Sequence, residues 1–136
     1  MVGNPEAMRV AERFTHAIVS LDVDAVAAVY RDDVVVRHNT SSSPESKEEN
    51  LALVTKIFAI EREHGYHDIR RLPTPEGFVQ LHTYKPVLKD GSPAGEARVC
   101  MVAKVEGHTI VELYEFLDGS QLAKLWERLG TAPLTS

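Results

Sequence analysis

The sequence predicts an α+β domain in which a curved antiparallel sheet is wrapped around by three N-terminal helices and closed by a short C-terminal helix. Three observations carry this expectation. Apolar residues recur at helical spacing in the first half and alternate at a period of two after Gly65. Turn residues separate the alternating runs as successive hairpins require. Helices and strands are largely segregated along the chain, which points to α+β and away from a parallel α/β sheet. Helices packed across one face of such a sheet make a cone, and a cone has an interior.

The first helix is expected from Asn4 to Leu21. Asn4 can cap it, Pro5 suits its first position, Glu6 complements the dipole, and Val10, Ala11, Phe14, Ala17, Ile18 and Leu21 form one apolar stripe. Asp22 caps a short second helix, Val23 to Tyr30. Arg31-Asp32-Asp33 reads as a turn, and Val34-Val35-Val36 opens a strand that runs out at Arg37-His38-Asn39. After the polar loop Thr40 to Pro44, Ser46-Lys47-Glu48-Glu49 is a capping box for a third helix, with Leu51, Val54, Ile57, Phe58 and Glu61 on one face and Gly65 as its stop. Tyr66–Leu72, Gly77–Pro86, Glu96–Val105 and His108–Leu117 are the expected strands, the last two joined through Glu106-Gly107. Asp118 caps a last helix, Gly119 to Leu129, stopped by Gly130. Residues 1–130 read as a single domain and 131–136 as a C-terminal tail.

Composition narrows the function. At 136 residues, 43% hydrophobic and 26% charged, the chain can bury a core without disulfides or metal. Its net charge of −5 argues against nucleic acid, whose binders carry a basic surplus to displace phosphate counterions. Cys100 is the single cysteine and reads as core; a reducing, cytoplasmic setting fits it. The N-terminus lacks a signal-peptide pattern, and no apolar run reaches the ~18 residues of a membrane span. His64 and His67 straddle an expected helix end, no paired-ligand spacing is present, and there is no phosphate loop or nucleophile elbow. No metal and no cofactor are expected.

The final strand is the most informative. Alternation places His108, Ile110, Glu112, Tyr114 and Phe116 on one face and Thr109, Val111, Leu113, Glu115 and Leu117 on the other. Both faces are mostly apolar, so each needs a cover: helices on one, and either a second subunit or the C-terminal helix on the other. Each face also carries one carboxylate amid hydrophobes. Such a group is either an edge partner of Arg37, Arg70, Arg71 or Arg98, or a shielded acid/base with a raised pKa.

Three stretches carry a family resemblance. Val36-Arg37-His38-Asn39-Thr40 is similar to a strand ending in Gln-His-Asn-Pro, Ile110-Val111-Glu112-Leu113-Tyr114-Glu115 to an Ile-Val-Glu-His-Trp-Asp strand, and Val79-Gln80-Leu81-His82 to a Val-x-Val-His strand. With the order of elements from about Pro5 to Leu129, they resemble the SnoaL-like branch of the nuclear transport factor 2-like superfamily. That superfamily includes ketosteroid isomerases, scytalone dehydratase and limonene epoxide hydrolase. The resemblance implies a cone with an apolar pocket, commonly a homodimer through the outer sheet face. It places Glu115 where the family often has its acid/base aspartate. Leu113 stands where the family has histidine, Tyr114 for tryptophan and Thr40 for proline.

Two functions follow as expectations. The first is a cofactor-independent acid/base enzyme on a small apolar molecule, of isomerase, cyclase, dehydratase or epoxide hydrolase type. Glu115 would exchange the proton and His38 position it. Phe14, Ile18, Tyr30, Asn39, Phe58, His82 and Leu113 would contact the substrate, although His82 fits a dimer surface equally and Tyr30 can simply pack. The second is a non-catalytic ligand-binding or dimeric accessory module, which the loss of histidine at Leu113 favours.

Overall fold

The structure, a computed structural model, describes residues 3–130. The helix α1 (Pro5–Val19) starts where Asn4 accepts from the Ala7 amide; the Asn4 side chain also donates to the Thr74 carbonyl, pinning the helix start to a distant turn. Asp22 caps α2 (Val23–Val29) through the Ala25 amide. The capping box closes reciprocally on α3 (Lys47–Ile60): Ser46 Oγ accepts from the Glu49 amide and the Glu49 carboxylate from the Ser46 amide. No helix among the described residues is long and apolar enough to cross a membrane.

The strands are β1 (Tyr30–His38), β2 (Glu61–Pro73), β3 (Gly77–Leu88), β4 (Ala97–Glu106) and β5 (Thr109–Phe116). They form one curved sheet in the order β1-β5-β4-β3-β2. The sheet is mixed, not wholly antiparallel, because β1 runs parallel to β5. On its concave side α1 packs against β2 and β3, and α3 against β1 and β2. Phe14, Phe78, Met101, Ile110 and Leu113 lie in the core. A 3-10 turn, Gly119–Leu122, precedes α4 (Ala123–Leu129), so the expected last helix is split; Gly130 ends it in the left-handed conformation. The expected tail, 131–136, lies outside the described residues.

Two local expectations are corrected. Arg31-Asp32-Asp33 is not a turn but part of β1, across a register irregularity between Tyr30 and Val35 that lets polar residues stand outward. The third helix does not run to Gly65 but stops at Ile60. From Glu61 onward the backbone is extended and pairs with β3, whose ladder outweighs the helical pattern of the side chains. Gly65 is therefore a strand residue. A Cβ there would stand 2.6 Å from the Lys85 carbonyl oxygen, so only glycine lets β2 and β3 approach at that point. Gly65→Ala should lower unfolding free energy by about 1–3 kcal/mol in chemical denaturation, the usual range for overpacking. An unchanged midpoint would show that the two strands can move apart without cost.

Candidate active site

A cavity of about 90 Å³ lies between the concave face of the sheet and helices α1, α3 and α4. Phe14 and Ile18 of α1, Phe58 of α3 and Leu122, Leu125 and Trp126 near the C-terminus supply apolar wall. The half-buried Leu53, Val54 and Ile57 of α3 and Leu117 mark where it reaches the surface. For scale, an apolar cavity of ~150 Å³ holds benzene.

Near that mouth the parallel pairing of β1 with β5 sets His38 directly beside Glu115. His38 Nε2 is 3.7 Å from Glu115 Oε1, and His38 Nδ1 is 3.4 Å from Glu45 Oε1. Both are ion-pair separations, longer than hydrogen bonds. Glu45 accepts from Asn50 Nδ2 at 3.0 Å, and Asn50 Oδ1 accepts from the Tyr30 hydroxyl at 2.8 Å. One chain of contacts thus runs from Glu115 through His38, Glu45 and Asn50 to Tyr30. The Glu115 side chain is 21% exposed, sheltered but not sealed. Burial, then the charges of Glu115 and Glu45, raise the Tyr30 phenol well above its ordinary pKa, so it stays protonated and donates.

A second cluster, whose His64, Tyr66, His82 and Tyr84 line the cavity, is built around Glu61 behind them. Glu61, with no side-chain exposure, accepts from the Tyr84 hydroxyl and lies 2.6 Å from His64 Nδ1. The His64 ring stacks on Tyr84 with centroids 4.3 Å apart, and the Tyr66 ring stacks on His82 at 3.8 Å. Behind His82, Gln80 Oε1 accepts from Arg71 Nε at 2.8 Å and from Thr15 Oγ1 at 3.2 Å, while Gln80 Nε2 meets His82 Nδ1 at 3.0 Å. Burial raises Tyr66 and Tyr84 well above the phenol range, with Glu115 and Glu61 respectively the leading charges.

Of the residues expected from sequence, Phe14, Ile18, Tyr30, His38, Phe58, His82 and Glu115 all line this one cavity. Asn39 and Leu113 do not. Asn39 clamps the end of β5, its amide donating to the Leu117 carbonyl and its Oδ1 accepting from the Leu117 amide. Leu113, 1% exposed, lies two residues before Glu115 on the same face, in the solid core. His82 faces inward with Phe78, Gln80 and Tyr84.

Sequence reasoning missed Glu61, His64, Tyr66, Tyr84, Glu45 and Asn50. Glu61 had been placed on the apolar face of a helix, and the criterion that singled out Glu115, a carboxylate among hydrophobes, applies to it equally. Its pairing with His64 was hidden by a bulge. Between Glu61 and Glu63 the register with β3 slips by one, so residues three apart fall on the same inward face. His67 remains outside and does not converge with His64.

No family model and no curated protein matches this chain. Solved structures do. A Mycobacterium tuberculosis LEH-like epoxide hydrolase superposes with a TM-score of 0.68 at 21% identity, covering 91% of each chain. A steroid delta-isomerase from Pseudomonas aeruginosa gives 0.67 at 15% identity, over 93% of this chain and 90% of that one. A nuclear transport factor 2-like protein from Burkholderia xenovorans gives 0.72 at 15% identity, over 92% and 98%. This chain has the nuclear transport factor 2-like fold. At such identities the likeness concerns the backbone, and the chemistry has to be read from the cavity itself.

His82 carries a measurable consequence. Burial, with His64 and Arg71 nearby, lowers its pKa from 6.5 to about 4. The unfolded chain therefore takes up this proton before the folded one does. The contribution is fully present above pH 6.5 and is lost as pH falls toward about 4. Replacing His82 with Gln should flatten stability against pH across that window in denaturant titrations. An unchanged slope would mean that His82 protonates as freely in the folded protein as in the unfolded chain.

Proposed function

We propose that this protein takes a small, largely apolar molecule into the cone and acts on it by acid/base catalysis without a cofactor, as an isomerase, cyclase, dehydratase or epoxide hydrolase does. The observation that supports this most is the placing of Glu115 beside His38 on the wall of a cavity lined largely by aliphatic and aromatic side chains. A carboxylate sheltered from bulk water exchanges a proton with substrate more readily than a solvated one, and an imidazole in contact with it can hold or return that proton. Epoxide hydrolase and isomerase neighbours of the same fold lend analogy.

A second reading, a binding module that performs no chemistry, draws on Leu113. Where the family resemblance expects histidine, this chain buries an aliphatic side chain and leaves Glu115 without that partner. Turnover assays on small ketones, epoxides and lactones with wild type and Glu115→Gln separate the two. The enzyme reading expects a fall of about 10²–10⁴-fold in the rate on whichever compound is converted, with binding retained. A full rate in the variant removes Glu115 from catalysis, and binding without conversion across the panel favours the module.

The outer face of the sheet supports a homodimer. Leu81, Val102, Tyr114 and Phe116 stand exposed on neighbouring strands, and the Tyr114 and Phe116 rings stack with centroids 4.2 Å apart. An apolar face of this kind favours burial against a second copy. Sedimentation should give twice the 15.1 kDa chain mass, and Val102→Glu should reduce it to a folded monomer. A monomeric wild type would show that the face is simply tolerated in water.

A further inference from the structure

His64 is held at every point but one. Its Nδ1 lies 2.6 Å from Glu61 Oε1, its ring stacks on Tyr84 with centroids 4.3 Å apart, and Phe58 and Tyr66 meet it edge-on at 5.7 and 5.0 Å. The free atom is Nε2. It has no hydrogen-bond partner among the described residues, yet it is not sealed by its neighbours as His82 Nε2 is, and its ring lines the cavity. An imidazole fixed in this way, with one nitrogen open, is preorganised toward whatever the cavity receives.

The placing of the protons follows from charge. Burial and the Glu61 charge raise the Tyr84 phenol well above its ordinary pKa, so it stays protonated and donates to Glu61. A second proton lies between Glu61 and His64 Nδ1, whichever of the two atoms holds it. Glu61 has no side-chain exposure and no ion-pair partner but His64 among the described residues, so a net negative charge there is costly. A pair without net charge carries one proton more, and the position left for it is Nε2.

We propose that Glu61 and His64 form the proton-donating end of this cavity, complementary to Glu115. The proposal rests on the acid/base reading of the site and deepens it by supplying the acid. His64 Nε2–H gives its proton to a lone pair on a ligand heteroatom. The electrons of the broken N–H bond stay on Nε2, and the shared proton remains as Nδ1–H against ionised Glu61. Glu115 forms an O–H bond to a hydrogen leaving a ligand carbon, and the C–H electrons stay in the ligand. The ligand ends as neutral as it began, while one negative charge has passed from Glu115 to the pair, where the Tyr84 hydroxyl meets it. The Tyr66 phenol feels the charges of both Glu115 and Glu61, which sets the two ends around one ring. Glu61 itself is a positioning residue, since it meets the ligand only through His64.

Cyclopentanone in deuterium oxide tests this, because exchange of its α-hydrogens through the enol needs both transfers. Wild type should accelerate the exchange, followed by NMR of the ketone. His64→Gln should lower the rate at saturating ketone by about 10²–10⁴-fold. Glu61→Gln separates the acid from a mere hydrogen-bond donor. Its amide can accept from Tyr84 and donate to His64 Nδ1, which keeps Nε2–H, but loss of that proton would then leave an imidazolate. This variant should keep its affinity for the ketone and lose the exchange, and Glu61→Asp should recover part of the rate. In ¹⁵N-histidine spectra of the ligand-free protein, His64 should show protonated Nε2, assigned by its loss in His64→Gln or, if that variant does not fold, by contacts with Tyr84 and Phe58. A bare Nε2, or a full rate in His64→Gln or Glu61→Gln, overturns the proposal. Exchange lost in Glu115→Gln but kept in His64→Gln would sink this donor and leave the reading built on Glu115 standing. Exchange lost in His64→Gln and full in Glu115→Gln would do the reverse. No exchange by wild type at saturating ketone also overturns the proposal, whereas turnover of an epoxide or lactone would still uphold the earlier reading.

Discussion

The Glu61 carboxylate is closed off from solvent, buried behind the His64 and Tyr84 rings that line the cavity. A charge or dipole in such surroundings is tolerated only where other polar groups replace the lost water. That constraint organises the inner wall. Tyr84 and His64 satisfy Glu61, and their rings supply apolar surface around it. Gln80, Thr15 and Arg71 satisfy one another and one edge of His82. Glu45 and Asn50 tie His38 to Tyr30 at the mouth. The polar groups of this wall form nearly complete sets, with His82 Nε2 buried and left without a partner among the described residues.

The sheet makes these sets possible. The parallel pairing of β1 with β5 brings residues 77 positions apart side by side as His38 and Glu115. The bulge near Arg62 turns Glu61 and His64 to the same side. Asn39, expected at the substrate, instead bonds both polar atoms of its amide to the backbone of Leu117 and so holds the end of β5, and with it Glu115, in place. Its effect on the site passes through that strand.

What the sequence disclosed follows from which patterns are local. The helix caps at Asn4, Asp22 and Ser46 depend on three or four neighbouring residues and were legible, as was the strand alternation that put Glu115 with Val111 and Leu113. The dyad of Glu61 and His64 was not, because a bulge changes the parity of a strand without a mark in composition. The strand character of Arg31 to Asp33 was hidden for a related reason: these residues are polar because they face outward at a sheet edge, where Arg31 bonds Asp33 and Glu106. Leu113 was misplaced by depth and not by direction. It has the correct face but lies two residues below the cavity floor. Strand alternation assigns a side, and only packing assigns a level.

A crystal structure of the protein soaked with cyclopentanone tests the central claim most directly. The account predicts the ketone inside the cone, against the apolar wall and beside Glu115 and His38. A ketone bound only on the outer face of the sheet, or a cone interior filled by side chains with no room for one, would contradict it.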